Sequence, residues 1–331
     1  MKEATNTNPF IRTVAVCGAL LCASALRAAD VKVGIIGVDT SHATAFAKIM
    51  NVDRDPAVAG YRVTHAYKWG SKDIVKCTSR YERHIKMLEE CGVKMVDSIA
   101  ELLANVDCVL LETCDGRPHL EQALEVFRSG KPCYIDKPIA ADLRDTLKIL
   151  AAAKQMGQKV FSASSLRYTK AVKEAARGAY GKIRAADTLA PGNFEPTHSD
   201  YFWYAIHGAD PLFAIMGTGC EEVTCVHSGD DDVIVGRWRD GRLGTLRVFG
   251  SKGGYGGTVV NDACKRFDLG GYEGYQVLLV EILEYFRTGK EPIPPEELKE
   301  VYAFLDAARL SKQRGGKPVT LAEAIRLAEG K

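Results

Sequence analysis

The chain lacks several features that would have fixed its chemistry at once. None of its ten cysteines forms a Cys-x-x-Cys pair. Cys17 and Cys22 fall near the start, and Cys77, Cys91, Cys108, Cys114, Cys133, Cys220, Cys225 and Cys264 are scattered, so no metal site is expected. Charge of one sign is lacking too: 44 Lys and Arg stand against 42 Asp and Glu, a net +2. That near balance predicts no nucleic-acid partner. No apolar run reaches the roughly 20 residues of a membrane-spanning helix, and no internal repeat or low-complexity tract is visible. What is present is a globular composition, 46% hydrophobic and 26% charged over 331 residues, enough for about two domains.

Residues 1–29 stand apart from the rest. Lys2 and Arg12 flank a polar leader, Thr13 to Cys22 is apolar, and Ala23-Ser24-Ala25 offers a small-residue cleavage site, with Ala28 or Ala29 as further sites. This predicts a Sec-type signal peptide and a periplasmic or secreted protein, with a frayed cytoplasmic extension as the alternative. Neither Cys17 nor Cys22 follows a small residue, which argues against a lipid anchor. After cleavage no membrane span remains. Outside the cytoplasm a disulfide is permitted, but spacing selects no pair.

From Val31 onward strand and helix alternate. Strands are predicted at 31–37, 61–67, 93–96, 107–113, 132–135 and 159–163, with helices from 41, near 80–90 and at 99–103 between them. Repeated βα units of this kind build a doubly wound, mostly parallel sheet. A Rossmann-type domain is expected over 30–165, followed by a substrate-binding and dimerisation α+β domain over 166–331. In the latter, an Asp240-Gly241 turn joins two strands at 232–239 and 242–249, a hairpin signal. Val233, Val235 and Trp238 are read as one apolar set and Leu243, Leu246 and Val248 as another, within a large, open, mostly antiparallel sheet. Amphipathic helices at 275–286, 295–310 and 322–328 close the chain.

The chemistry is expected around Cys133-Tyr134-Ile135-Asp136-Lys137-Pro138, an apolar strand that stops at an acid, a lysine and a proline. Ligands of open α/β sheets gather at such carboxyl edges. Lys137 there is either a partly desolvated proton donor or acceptor, or a solvated strand-end lysine. His119 opens the preceding helix and is delivered to the same rim.

The block from His119 through Gly130-Lys131 to Asp136-Lys137-Pro138 resembles the signature of the glucose-fructose oxidoreductase, inositol dehydrogenase and rhizopine catabolism family (Gfo/Idh/MocA), whose usual triplet is Glu-Lys-Pro. The resemblance implies NAD or NADP, with Gly37, Thr40, Ser41, His42, Ser71, Thr113, Cys114, His119, Asp136, Lys137 and Arg167 on the cofactor side. It also departs from the family. The Gly-x-Gly-x-x-Gly loop that admits a pyrophosphate reads Gly37-Val38-Asp39-Thr40-Ser41-His42, with one glycine left. No acid ends the second strand; Lys68, Ser71 and Lys72 there favour a 2′-phosphate, hence NADP, although a solvated basic loop explains them equally.

A second cluster is Tyr201-Phe202-Trp203-Tyr204-Ala205-Ile206-His207-Gly208-Ala209-Asp210. His207 and Asp210, at i and i+3, share one helix face, and a histidine beside an acid can exchange a proton with a hydroxyl near neutral pH. The family carries an Asp where this chain has Trp203, so Tyr204 or Asp200 is a substitute, with His198 a looser candidate. The reading is therefore Lys137, His207, Asp210 and Tyr204 as catalytic groups and Arg117, Tyr168 and Trp203 on the substrate. Arg117 has the alternative of pairing with Asp115 or Glu121. The expected activity is hydride removal from a secondary alcohol of a sugar, cyclitol or related polyol by a homo-oligomer joined through the C-terminal sheet. Two alternatives stand: a glycosidase or lyase that oxidises transiently with a retained NAD, and a non-catalytic carbohydrate-binding protein.

Overall fold

The computed structural model describes residues 29–331; the expected leader with its Ala23-Ser24-Ala25 site lies outside the described residues. The first domain is built from β1 (Val31–Ile36), α1 (Ser41–Ala47), β2 (Tyr61–Tyr67), α2 (Val75–Thr78), α3 (Tyr81–Glu90), β3 (Lys94–Val96), α4 (Ile99–Asn105), β4 (Cys108–Leu111), α5 (His119–Ser129), β5 (Cys133–Ile135), α6 (Leu143–Gln155) and β6 (Val160–Phe161). The strands form one parallel sheet in the order β3-β2-β1-β4-β5-β6. Unbroken apolar runs explain the parallel arrangement, since β4 and β5 are buried along their whole length. Helix starts are written into the chain: Thr40, Ser98 and Asp142 each accept a hydrogen bond from a backbone N–H of the first turn. The strand order reverses between β1 and β4, and that switch point opens the crevice in which ligands of such sheets bind.

A single turn at Ser165–Tyr168 leads into the second domain: α7 (Lys170–Ala176), β7 (Ile183–Pro191), α8 (Ile206–Met216), β8 (Cys220–Ser228), β9 (Asp231–Trp238), β10 (Leu243–Phe249), β11 (Gly256–Asn261), β12 (Arg266–Asp268), α9 (Gln276–Thr288), α10 (Pro295–Gln313), β13 (Val319–Thr320) and α11 (Leu321–Ala328). Its sheet runs β12-β11-β7-β10-β9-β8-β13, antiparallel throughout except between β7 and β10. The expected hairpin is β9–β10, but its inward face differs from the one read in the sequence. Ile234, Gly236 and Trp238 point to the core, whereas Val233 and Val235 lie on the open side. Gly236 and Gly244 are cross-strand partners, and a Cβ on either would sit 2.7–2.8 Å from the Trp238 ring. The two glycines thus make room for that indole.

Helix α8 lies against β7 and β10. Gly208 allows it, because a Cβ there would stand 2.4 Å from Leu246 Cδ1. Helix α9 returns to the first domain: Tyr61 donates to the Leu283 carbonyl at 3.2 Å and Tyr285 to that of Lys159 at 2.9 Å. The carboxyl edge of the first sheet is thereby held facing α8.

Candidate active site

Between that edge and the second domain lies a cavity of about 170 Å³. Five of the predicted residues, Thr40, Ser41, His42, Cys114 and Lys137, line it from the first domain, and Trp203, Tyr204 and His207 line it from the second. Lys76, Arg80, Tyr255, Tyr272 and Tyr275 also line it, with Pro138, Ser165 and Leu166; the first five were missed because no motif surrounds them. Ser41 and Tyr275 join their hydroxyls across the domain boundary at 2.9 Å. Lys76 contacts both the hydroxyl and the ring face of Tyr204.

Lys137 emerges just after β5 with its side chain 16% exposed and its Nζ 3.7 Å from Asp136 Oδ2. Burial pulls its pKa down, but the Asp136 carboxylate more than offsets that, so the ammonium is held charged. His207 opens α8, its Nδ1 2.8 Å from the Ser164 hydroxyl. Burial, and then the positive charge of Lys137, push its pKa well below the usual value, so this imidazole is neutral at pH 7. A cation and a neutral imidazole therefore border one cavity.

Beneath them lies a fully buried polar group. His42 Nδ1 is 2.8 Å from Asp136 Oδ1 and 3.8 Å from Glu112 Oε2. Glu112 directly follows β4 and Asp136 directly follows β5. Burial, and then the neighbouring Asp136, raise the Glu112 pKa well above the carboxylate range. Asp136 is driven the other way: burial opposes its charge, but His42 and Lys137 hold it ionised.

The β1–α1 loop departs from a dinucleotide cradle in a specific way. Gly37 keeps the required glycine, with φ +87° and a would-be Cβ 2.5 Å from Thr113 Oγ1, so the loop closely approaches the end of β4. Asp39, in place of the second glycine, turns its buried carboxylate inward. It accepts from Ser71 N and Cys114 N, both at 2.9 Å. Ser71 Oγ donates to Asp115 at 3.1 Å, and Arg117 binds Asp115 through Nε at 2.9 Å and Asp73 through Nη1 at 2.9 Å. These bonds tie the loop after β2 to the loop after β4. Above them Ile74, Cys77, Cys114 and Trp203 form a small apolar cluster separate from the main core, with Tyr204 packed against it. The cavity bordered by Lys137 stays open beside these ties, which close the crevice between the loops after β2 and β4.

Several predicted site residues hold the frame instead of facing the cavity. Arg117 is engaged by Asp73 and Asp115 and does not reach a substrate position. Ser71 is buried in the same network. His119 is enclosed, its two ring nitrogens placed against the carbonyls of Thr113 and Ile139, and Thr113 donates to Gln122. Asp210 does not pair with His207: it accepts from Ser164 N at 2.6 Å and from Arg167 Nη1 at 2.8 Å. Arg167 is enclosed between Asp210 and Glu297, and Tyr168 is buried against Phe161. His198 accepts from Gly116 N at 2.9 Å and packs on Trp203. Lys68, part of the case for a 2′-phosphate, is paired with Asp97 at 2.6 Å.

A doubly wound parallel sheet, an antiparallel-rich second domain and a cavity between them define a two-domain Rossmann-type protein. Residues 31–164 match the family model described as "Oxidoreductase family, NAD-binding Rossmann fold" (GFO_IDH_MocA). An "Uncharacterized oxidoreductase" of Streptococcus pneumoniae is 25% identical over 173 residues, 44% of this chain and 47% of that protein. An inositol 2-dehydrogenase of Cereibacter sphaeroides is 32% identical over 77 residues, 23% of this chain and 22% of that protein. The chain thus matches about half of the length of the first relative and about a fifth of the second. Two solved structures share the fold over nearly the whole chain. Apo scyllo-inositol dehydrogenase from Lactobacillus casei has a TM-score of 0.70 at 13% identity, covering 89% of this chain and 99% of that one. Myo-inositol dehydrogenase from the same organism, in complex with NAD(H) and myo-inositol, has a TM-score of 0.68 at 14% identity, covering 88% and 96%.

Proposed function

We propose that this protein is an NAD- or NADP-dependent oxidoreductase that acts on a secondary alcohol of a sugar, cyclitol or related polyol. The observation that carries the reading is the pairing of Lys137 and His207 on one cavity at the switch point of a family-matched Rossmann domain. The nucleotide, when bound, supplies the hydride acceptor, and Gly37, Thr40, Ser41 and Cys114 are the residues placed to hold it. His207, neutral and bonded to Ser164, takes the hydroxyl proton. The Lys137 ammonium, anchored by Asp136, holds the oxygen and stabilises the negative charge that develops there. Trp203, Tyr204 and Tyr255 give the flat apolar walls on which a polyol ring packs. The open face of the second sheet is the surface on which a second copy packs, and export to the periplasm or beyond is part of the same reading.

The direct test is to denature the purified protein, identify any released nucleotide by mass spectrometry, and then screen polyols with NAD and NADP for reduced nicotinamide. Lys137→Met and His207→Gln should each lower kcat by about 100-fold or more with the fold intact. Failure of either nucleotide to bind would remove the redox reading and leave a carbohydrate-binding role. A second reading, a glycosidase or lyase that keeps its nucleotide through a transient oxidation, is favoured by the Asp39 and Arg117 ties, which slow exchange. Its mark is release of a leaving group with no net change in the nucleotide.

A further inference from the structure

We infer that His42, Glu112 and Asp136 form a binding site for one divalent transition-metal ion, set beneath the floor of the cavity. The residues come from the first turn of α1 and from the positions directly after β4 and β5, so the switch point of the sheet gathers them. One ligand atom from each lies within 4.8 Å of the other two, and His42 Nδ1 is already 2.8 Å from Asp136 Oδ1 and 3.8 Å from Glu112 Oε2. Zn²⁺ holds nitrogen and oxygen donors at about 2.0–2.2 Å, so shifts on the order of an ångström close the set.

The deciding observation is a group of buried oxygens with no bonding partner. Both Oε atoms of Glu112 and Oδ2 of Asp136 are enclosed without a hydrogen-bond partner, and both residues are 0% exposed. Acidic oxygens left this way are costly, and native interiors rarely keep them. A cation placed between the two carboxylates would satisfy these oxygens together. Charge allows it: an ion that displaces the Glu112 proton leaves two carboxylates beside the single ammonium of Lys137, 3.7 Å from Asp136 Oδ2, and its own charge offsets the second one. One imidazole with two carboxylates suits Zn²⁺, Mn²⁺ or Fe²⁺, whereas Ca²⁺ and Mg²⁺ favour all-oxygen sets. His42 lines the cavity, which gives the ion its entry and leaves that side for water or a ligand oxygen. The sequence concealed the site, because cysteine spacing pointed away from metals and Glu112 ends an apolar strand.

The test needs no turnover, so it stands or falls apart from the redox reading. The purified protein is stripped with a chelator, titrated calorimetrically with Zn²⁺, and loaded with Co²⁺ for its visible absorption. One ion per chain is expected, with a micromolar or tighter Kd, and Glu112→Gln should weaken it by about 100-fold or more. His42→Gln supplies the same comparison if the first variant does not fold. No Zn²⁺ uptake below millimolar concentration overturns the site. So does equal affinity in Glu112→Gln, which would put the ion elsewhere, or a Glu112→Gln protein whose melting matches the parent with and without Zn²⁺, which would show a proton on Glu112 in place of an ion.

Discussion

His198 shows how a side chain next to the cavity can act on stability without touching a ligand. Its Nε2 accepts from Gly116 N at 2.9 Å, a bond that only the neutral ring makes. Burial is the main cause of a pKa lowered to about 4 from 6.5. The unfolded chain therefore takes up a proton first as pH falls, so the contribution is complete above pH 6.5 and is lost on the way down to about pH 4. The loss approaches roughly 3 kcal/mol. Denaturant melts across that window should show it, and His198→Gln should flatten the dependence. Residues also mark where sequence reasoning stopped. His207, Asp210, Arg117 and Arg167 were all legible as chemistry-bearing types, yet only His207 borders the cavity. Spacing puts His207 and Asp210 on one helix face, but the Arg167 guanidinium and Ser164 N–H, distant in sequence, decide which way Asp210 is held.

Among the elements, α8 carries the most weight, since it positions His207 while packing on β7 and β10. The approach depends on Gly208, whose would-be Cβ lies 2.4 Å from Leu246 Cδ1 and 3.2 Å from Ala190 Cβ. Gly208→Ala should cost about 1–3 kcal/mol by overpacking. In a Leu246→Ala background the added cost should shrink, and a double-mutant cycle in urea would expose that coupling. Elements were the most readable level of this chain. Apolar runs placed the βα units, and the Asp240-Gly241 turn placed the β9–β10 hairpin. The face of β9 was misread because the residue that fills its core side is glycine, which has no side chain to register in an apolar pattern; Trp238 fills that space from the same strand.

On the scale of the molecule, α8 and α10 cover one side of the second sheet and, among the described residues, the other side is left open. Val233, Val235, Thr245 and Arg247 lie on the other side with Val226 and Leu243, which are 60% and 50% exposed. Arg247 and Asp187 supply both signs of charge there, 3.8 Å apart, as a self-complementary two-fold contact requires. Sedimentation should find a dimer, and Val235→Lys should return it to a monomer of unchanged fold; a monomeric parent would end the proposal. The arrangement of the two cores has a kinetic side as well. Ile74, Cys77, Cys114 and Trp203 cohere as a patch apart from the main core, and α2 within it spans only Val75–Thr78. Such a patch can detach at a small fraction of the cost of global unfolding. Hydrogen exchange should therefore find the segment between β2 and α3 opening ahead of the main core, and equal protection of the two would show that the patch does not open by itself.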